Sequence, residues 1–150
     1  MSMETHKPHI LKGALAGLIG GLIGMAAMSA AEKFFPPQAD DRPSPQEFKG
    51  QRFALSTRTA EGESLHWALG AVAGAAYGAM AEYYPDVSDK GGAAFGAALC
   101  VATHEGILPA LGLQQRLSEQ STRETGSEMA THLVYGIVTE TVRTLVREII

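Results

Sequence analysis

The sequence predicts an all-α integral membrane bundle of about four Gly/Ala-rich transmembrane helices, in a single domain spanning residues 1–150. Three observations predict it. Glycines and a few ionisable residues fall at a four-residue stride inside apolar segments: Gly13, Gly17, Gly21; His66, Gly70, Gly74, Gly78, Glu82; Gly92, Gly96, Cys100, His104; and His132, Gly136, Glu140. Residues four apart share one helix face, and a glycine ridge on an apolar helix lets another backbone approach closely. The apolar residues are chiefly Gly and Ala, with aromatics at only 7%. A soluble core uses larger side chains, so this mixture suits close-packed membrane helices. Finally, Gly13 to Ala31 is nineteen residues without a charge. At a rise of ~1.5 Å per residue that is roughly 28 Å, close to a bilayer core of about 30 Å.

The first span is placed at about 10–31. Its basic start and the small residues Ser29, Ala30 and Ala31 also allow a cleaved signal peptide, but a glycine ridge makes sense only in a retained helix. Residues 34–64 form a Pro-rich connector, with Pro36–Pro37 stopping the first helix. Ser44-Pro45-Gln46-Glu47 has the form of a capping box, and a short helix over Pro45 to Ser56 is expected, either at the membrane surface through Phe48 and Phe53 or solvated. The second span is placed at 65–84, with Trp67, Tyr83 and Tyr84 at its ends, where amphipathic rings favour the interface. The third is placed at 91–113, with Pro109 kinking or ending it. Thr125-Gly126-Ser127-Glu128 is a second possible capping box, and the fourth span is placed at 128–150.

The fourth span sets hydrophobicity against charge. Its nine Leu, Ile and Val residues supply roughly −3 to −5 kcal/mol on the insertion scale, against about +5 to +7 for a central, unpaired Glu140 and Arg143. Crossing therefore requires its polar stripe to face inward with Glu140 paired to Arg143 at i,i+3; the alternative is an amphipathic helix lying on the membrane. A faint repeat relates Tyr77–Glu82 to Tyr135–Glu140, the kind of similarity a duplicated two-helix unit leaves.

Four spans put both termini on one side and the two longer connectors on the other. Antiparallel threading then brings His66, His104 and His132 to similar depth toward the connector side, with Glu105 and Glu128 near them, Glu140 near the middle and Glu82 at the opposite end. Seven Lys and Arg residues on the connector side against five on the terminal side do not decide orientation. The three histidines admit a structural reading as buried imidazoles bonding across helices. They also admit proton handling, since histidine titrates near about pH 6.5 unperturbed and Glu140 and Glu82 continue a relay. A third reading is metal binding with Glu105 or Glu128, though no local ligand motif is present. Glu140–Arg143 reads first as a charge-neutralising pair and the glycines as packing devices.

The net charge of −4 without a basic stripe argues against nucleic acid. A single cysteine, Cys100, implies no intramolecular disulfide and no Cys-based zinc site. No phosphate loop and no nucleophile–base arrangement stands out, which leaves an intramembrane hydrolase a distant third reading.

The chain resembles the YagU-like bacterial inner-membrane proteins of unknown function. The likeness rests on Gly17-Leu18-Ile19 with Gly21, Ala31-Glu32 before Pro36-Pro37, and His66, Tyr77 and Ala81-Glu82 before Pro85. It continues through His104, Pro109, Gly112-Leu113, Ser127-Glu128, His132-Leu133-Val134, Glu140 and Arg143, with a shorter first connector in this chain. The resemblance implies a multi-pass inner-membrane helical protein with cytoplasmic termini, and no catalytic mechanism. The expectation is a protein without enzymatic activity, cofactor or metal, embedded in the lipid bilayer. Its specific form is a proton-responsive or small-solute and ion permeation role linked to acid tolerance, carried by His66, His104, His132, Glu140, Glu82, Glu105 and Arg143. The alternative is a structural or accessory subunit that docks a membrane partner or a second copy through its glycine ridges.

Overall fold

A computed structural model of the chain describes residues 8–35, 60–88, 90–107, 110, 118 and 121–150. Their regular structure is helical, with no strand among the described residues: α1 (Ile10–Ala31), α2 (Ala60–Ala81), a 3-10 turn (Pro85–Ser88), α3 (Ala93–Val101) running on as a π-helical segment (Ala102–Ile107), and α4 (Thr122–Ile149). The connector proline pair Pro36–Pro37, the Pro45–Ser56 helix with its Ser44–Glu47 box, Phe48, Phe53, Pro109 and Gly112-Leu113 lie outside the described residues.

α1 is the one helix among the described residues that is both long and apolar enough to cross a membrane; Ala93–Ile107 is apolar but shorter. α2 has the same 22 residues but opens with Glu61 and Glu63, and the 28 residues of α4 carry Glu140, Arg143 and Arg147 inside their apolar run.

α1 lies between α2 and α4, and α3 packs on α4. Glycine decides how close these helices come. A Cβ at Gly78 would lie 2.7 Å from Gly17 Cα, and one at Gly74 2.7 Å from Gly21 Cα, so α1 and α2 touch backbone to backbone, with Gly13 against Gly78 and Glu82. Gly70 faces the Met25 side chain. The neighbouring face of α1 meets α4: Gly20 lies over the Thr139 carbonyl and Gly24 against Tyr135 and Thr139. Gly92 and Gly96 of α3 meet Gly136 and His132 of α4 in the same way. The turn into α3 needs glycine for a second reason, since Gly91 and Gly92 have φ of +56° and +82°, where a Cβ is strained.

The interior is small and polar-edged. Met25, Met28 and Tyr135 form its apolar centre, with Trp67, Phe95 and Leu99 against them. Tyr77 stacks on Phe95 with ring centroids 4.1 Å apart, and the Tyr135 hydroxyl donates to the Gly70 carbonyl at 2.6 Å, tying α4 to α2.

α4 begins at Thr122, ahead of the Thr125–Glu128 start that the sequence suggests. Ser121 caps it: its hydroxyl accepts from Glu124 N–H at 3.3 Å while the Glu124 carboxylate accepts from Ser121 N–H at 3.0 Å. Two orphan donors are satisfied by one reciprocal pair, which fixes the helix start a full turn earlier.

Candidate functional site

The polar side chains that the sequence singles out divide between the two ends of the bundle. At one end stand Glu82, Glu140, Arg143 and Arg147. Arg143 grips Glu140 through Nε and Nη2 at 2.6 and 2.7 Å, Thr144 adds a bond at 3.1 Å, and Arg143 also donates to Ser88 of the 3-10 turn at 3.3 Å. The guanidinium lies 6.0 Å from the centre of the Tyr77 ring. Arg147 grips Glu82 through Nε to Oε1 at 2.6 Å and Nη2 to Oε2 at 3.2 Å, and Oε2 also accepts the His9 backbone N–H at 3.0 Å. Lys12 donates to the backbone carbonyl of Ile150. Glu82 thus joins the start of α1, the end of α2 and the end of α4. Each carboxylate takes two bonds from one guanidinium, the strong bidentate form of the contact. An open cleft lined by Glu82, Arg143, Thr144, Arg147 and Glu148 lies over them.

The opposite end holds the histidines. His104 and His132 meet edge to face with ring centroids 5.1 Å apart. His132 Nδ1 lies 2.9 Å from the Glu128 carbonyl, and the Glu128 carboxylate lies 2.9 Å from His104 Nδ1. His66, at the start of α2, lies within electrostatic reach of Glu32 and His104, and its Nε2 is buried with no hydrogen-bond partner among the described residues. The segment bearing His104 is π-helical, and the Thr103 hydroxyl bonds back to the carbonyls of Leu99 and Cys100 at 2.8 and 3.1 Å. Such back-bonding competes with the helix ladder, and π-turns frequently mark functional sites.

Glu105 stands apart from the imidazoles and accepts the Ser118 backbone N–H at 2.7 Å. Glu140 is about two helical turns and Arg143 about three from His132 along α4, with Tyr135 and Thr139 between. No direct contact joins the seven side chains into one cluster. Two residues belong at the histidine end that the sequence reading left out of its central set. Glu128 touches both rings. Cys100, taken as an isolated thiol, is fully buried, and its sulfur and one nitrogen each of His104 and His132 all lie within 4.8 Å of one another. The signal for both was present, since Cys100–His104 and Glu128–His132 are i,i+4 pairs.

The family model described as "Protein of unknown function (DUF1440)" matches residues 22–141, and the chain belongs to that family. No curated protein and no solved structure matches it.

Proposed function

We propose that this member of the family is a multi-pass membrane protein of the bacterial inner membrane, without enzymatic activity. One observation carries the reading: the distribution of side chains is inverted relative to a water-soluble bundle. On α1 the buried positions are Gly13, Ala16, Gly17, Gly20, Gly21, Gly24, Met25 and Met28, while Leu11, Leu15, Leu18, Leu22 and Ile23 face outward. On α4 the buried positions include Thr131, His132, Thr139, Glu140 and Arg143, while Ile137, Leu145 and Ile149 face outward. Water favours the opposite arrangement, and an outward leucine surface of this extent calls for an apolar surround. Small residues at the interfaces and paired charges inside are what helices packed in lipid require. Alkaline carbonate washing of membranes tests this. The protein is expected to stay in the pellet, and its release into the wash would overturn the reading.

The finer role we propose is a proton response linked to acid tolerance, centred on His66, whose Nε2 is buried without a hydrogen-bond partner among the described residues. Glu140 and Glu82 are locked by arginine and suit a structural latch better than a relay. The backbone contacts of α1 with α2 and of α3 with α4 leave no lumen along those seams, which favours a response over free permeation. The same contacts occupy the glycine ridges within the chain, so the accessory-subunit reading loses the surfaces it would use. Trp67, the single tryptophan, adjoins His66 and packs on the core. In reconstituted vesicles its emission is expected to shift on acidification across histidine's range, about pH 8 to pH 5. Replacement His66→Gln should abolish the shift. A shift that survives the replacement, or none in the native protein, would refute the proton role.

A further inference from the structure

We propose that Cys100, His104 and His132 form a binding site for a borderline-soft transition-metal cation, of which zinc(II) fits the donors best. One thiol and two imidazoles are the donor types zinc takes, and three protein ligands leave a fourth position open for water or another small ligand. Zinc bonds of about 2.3 Å to sulfur and 2.0–2.1 Å to nitrogen put tetrahedral donors roughly 3.3 to 3.6 Å apart. The three donors here already lie within 4.8 Å of one another, so small side-chain rotations close the set.

Packing alone accounts for a buried cysteine, because free cysteine behaves as a small apolar residue. It does not account for the placement of Glu128 against both rings. The Glu128 carbonyl, 2.9 Å from His132 Nδ1, can only accept, which puts the ring proton on Nδ1 and leaves the lone pair on Nε2. The Glu128 carboxylate lies 2.9 Å from His104 Nδ1, close but not aligned for a hydrogen bond, so a small turn of the ring would pair them. Metal-bound histidines are held in the manner of His132, by a backbone carbonyl on the far nitrogen. The π-helical segment starting at Ala102 sets the turn between Cys100 and His104, and its six residues include His104 itself. The site shares the imidazole end of the bundle with the proton reading. It does not require that reading, since His66 is not one of its donors.

The test is titration of the full chain, purified in detergent and stripped with chelator, using cobalt(II) as a spectroscopic probe and zinc(II) as competitor. One equivalent of cobalt should bind per chain with a thiolate-to-cobalt charge-transfer band, and zinc should bleach it. Replacement Cys100→Ser should remove the band. His104→Gln and His132→Gln should weaken binding at least tenfold, and Glu128→Gln should weaken it about 10- to 100-fold as a supporting group. His66→Gln should leave the band in place, which separates this site from the proton response. No band in the native protein, or a band unchanged by Cys100→Ser, would overturn the site. So would binding that disappears only when His6 and His9 are removed. A readout that needs no variant is the alkylation rate of Cys100 in the native chain. Zinc should slow it at least tenfold, and an unchanged rate would also overturn the proposal.

Discussion

Alanine at Gly74 tests whether α1 and α2 are held by direct backbone contact. A Cβ there would lie 2.7 Å from Gly21 Cα and 2.9 Å from Gly21 N. Ordinary carbon contacts are about 3.5–4.0 Å, so the two helices must part by about 1 Å. The obstructing atoms are backbone, and no side-chain rotation relieves them. Because the same face carries Gly17 against Gly78, parting at Gly74 loosens that contact as well. Overpacking costs about 1–3 kcal/mol, with a rigid obstacle placing this site near 3, and the better helix propensity of alanine returns about 1. The expected net loss is about 2 kcal/mol. Gly126 on α4 is the matched control, since a Cβ there meets nothing within 4 Å. Gly126→Ala should stabilise by about 0.5–1 kcal/mol. The two identical chemical changes therefore differ by about 3 kcal/mol in opposite directions. Reversible unfolding in mixed micelles, followed by far-UV circular dichroism, measures both. Equal effects from the two substitutions would refute the backbone-contact account.

Removing one partner of the Glu140–Arg143 pair strands the other in the interior. Glu140→Ala should cost about 3–5 kcal/mol, and a Glu140→Ala/Arg143→Ala double replacement should cost clearly less than the two single losses added. Strict additivity in the same unfolding assay would contradict the pairing. Ser121→Ala should cost about 1 kcal/mol and expose the first turn of α4, read as faster amide exchange at Glu124. Unchanged exchange there would argue against the reciprocal cap.

The helices and their contact faces were legible because one stride of four records both helical period and close approach. Gly13, Gly17 and Gly21, and Gly70, Gly74 and Gly78, were legible as ridges, while the pairing of the one ridge with the other came from the structure. The i,i+3 pairing of Glu140 with Arg143 was legible for the same reason, being local. What the sequence hid is set by tertiary placement. The Arg147–Glu82 contact spans 65 positions, and no local pattern announces it. The start of α4 turned on a box the sequence reading passed over, Ser121 with Glu124, in place of the Thr125–Glu128 box it named. The Cys100, His104 and His132 grouping needed the π-helical segment of α3 and the side-by-side packing of α3 and α4, neither of which periodicity encodes.

The position of α1 between α2 and α4 has a bearing on how the chain assembles as it leaves the ribosome. The α1–α2 hairpin joins sequence neighbours and carries its own glycine seam, so it closes with contacts that exist as soon as α2 emerges. α3 has little to dock on at that stage beyond the Tyr77–Phe95 stack, because its main surface is α4. The last helix made is thus the one that recruits its predecessor, covers the free flank of α1 and delivers Arg147 to Glu82. A chain halted before α4 would hold a finished hairpin and a third helix touching it through little more than one ring stack, with Glu82 bonded to His9 but lacking the guanidinium of Arg147.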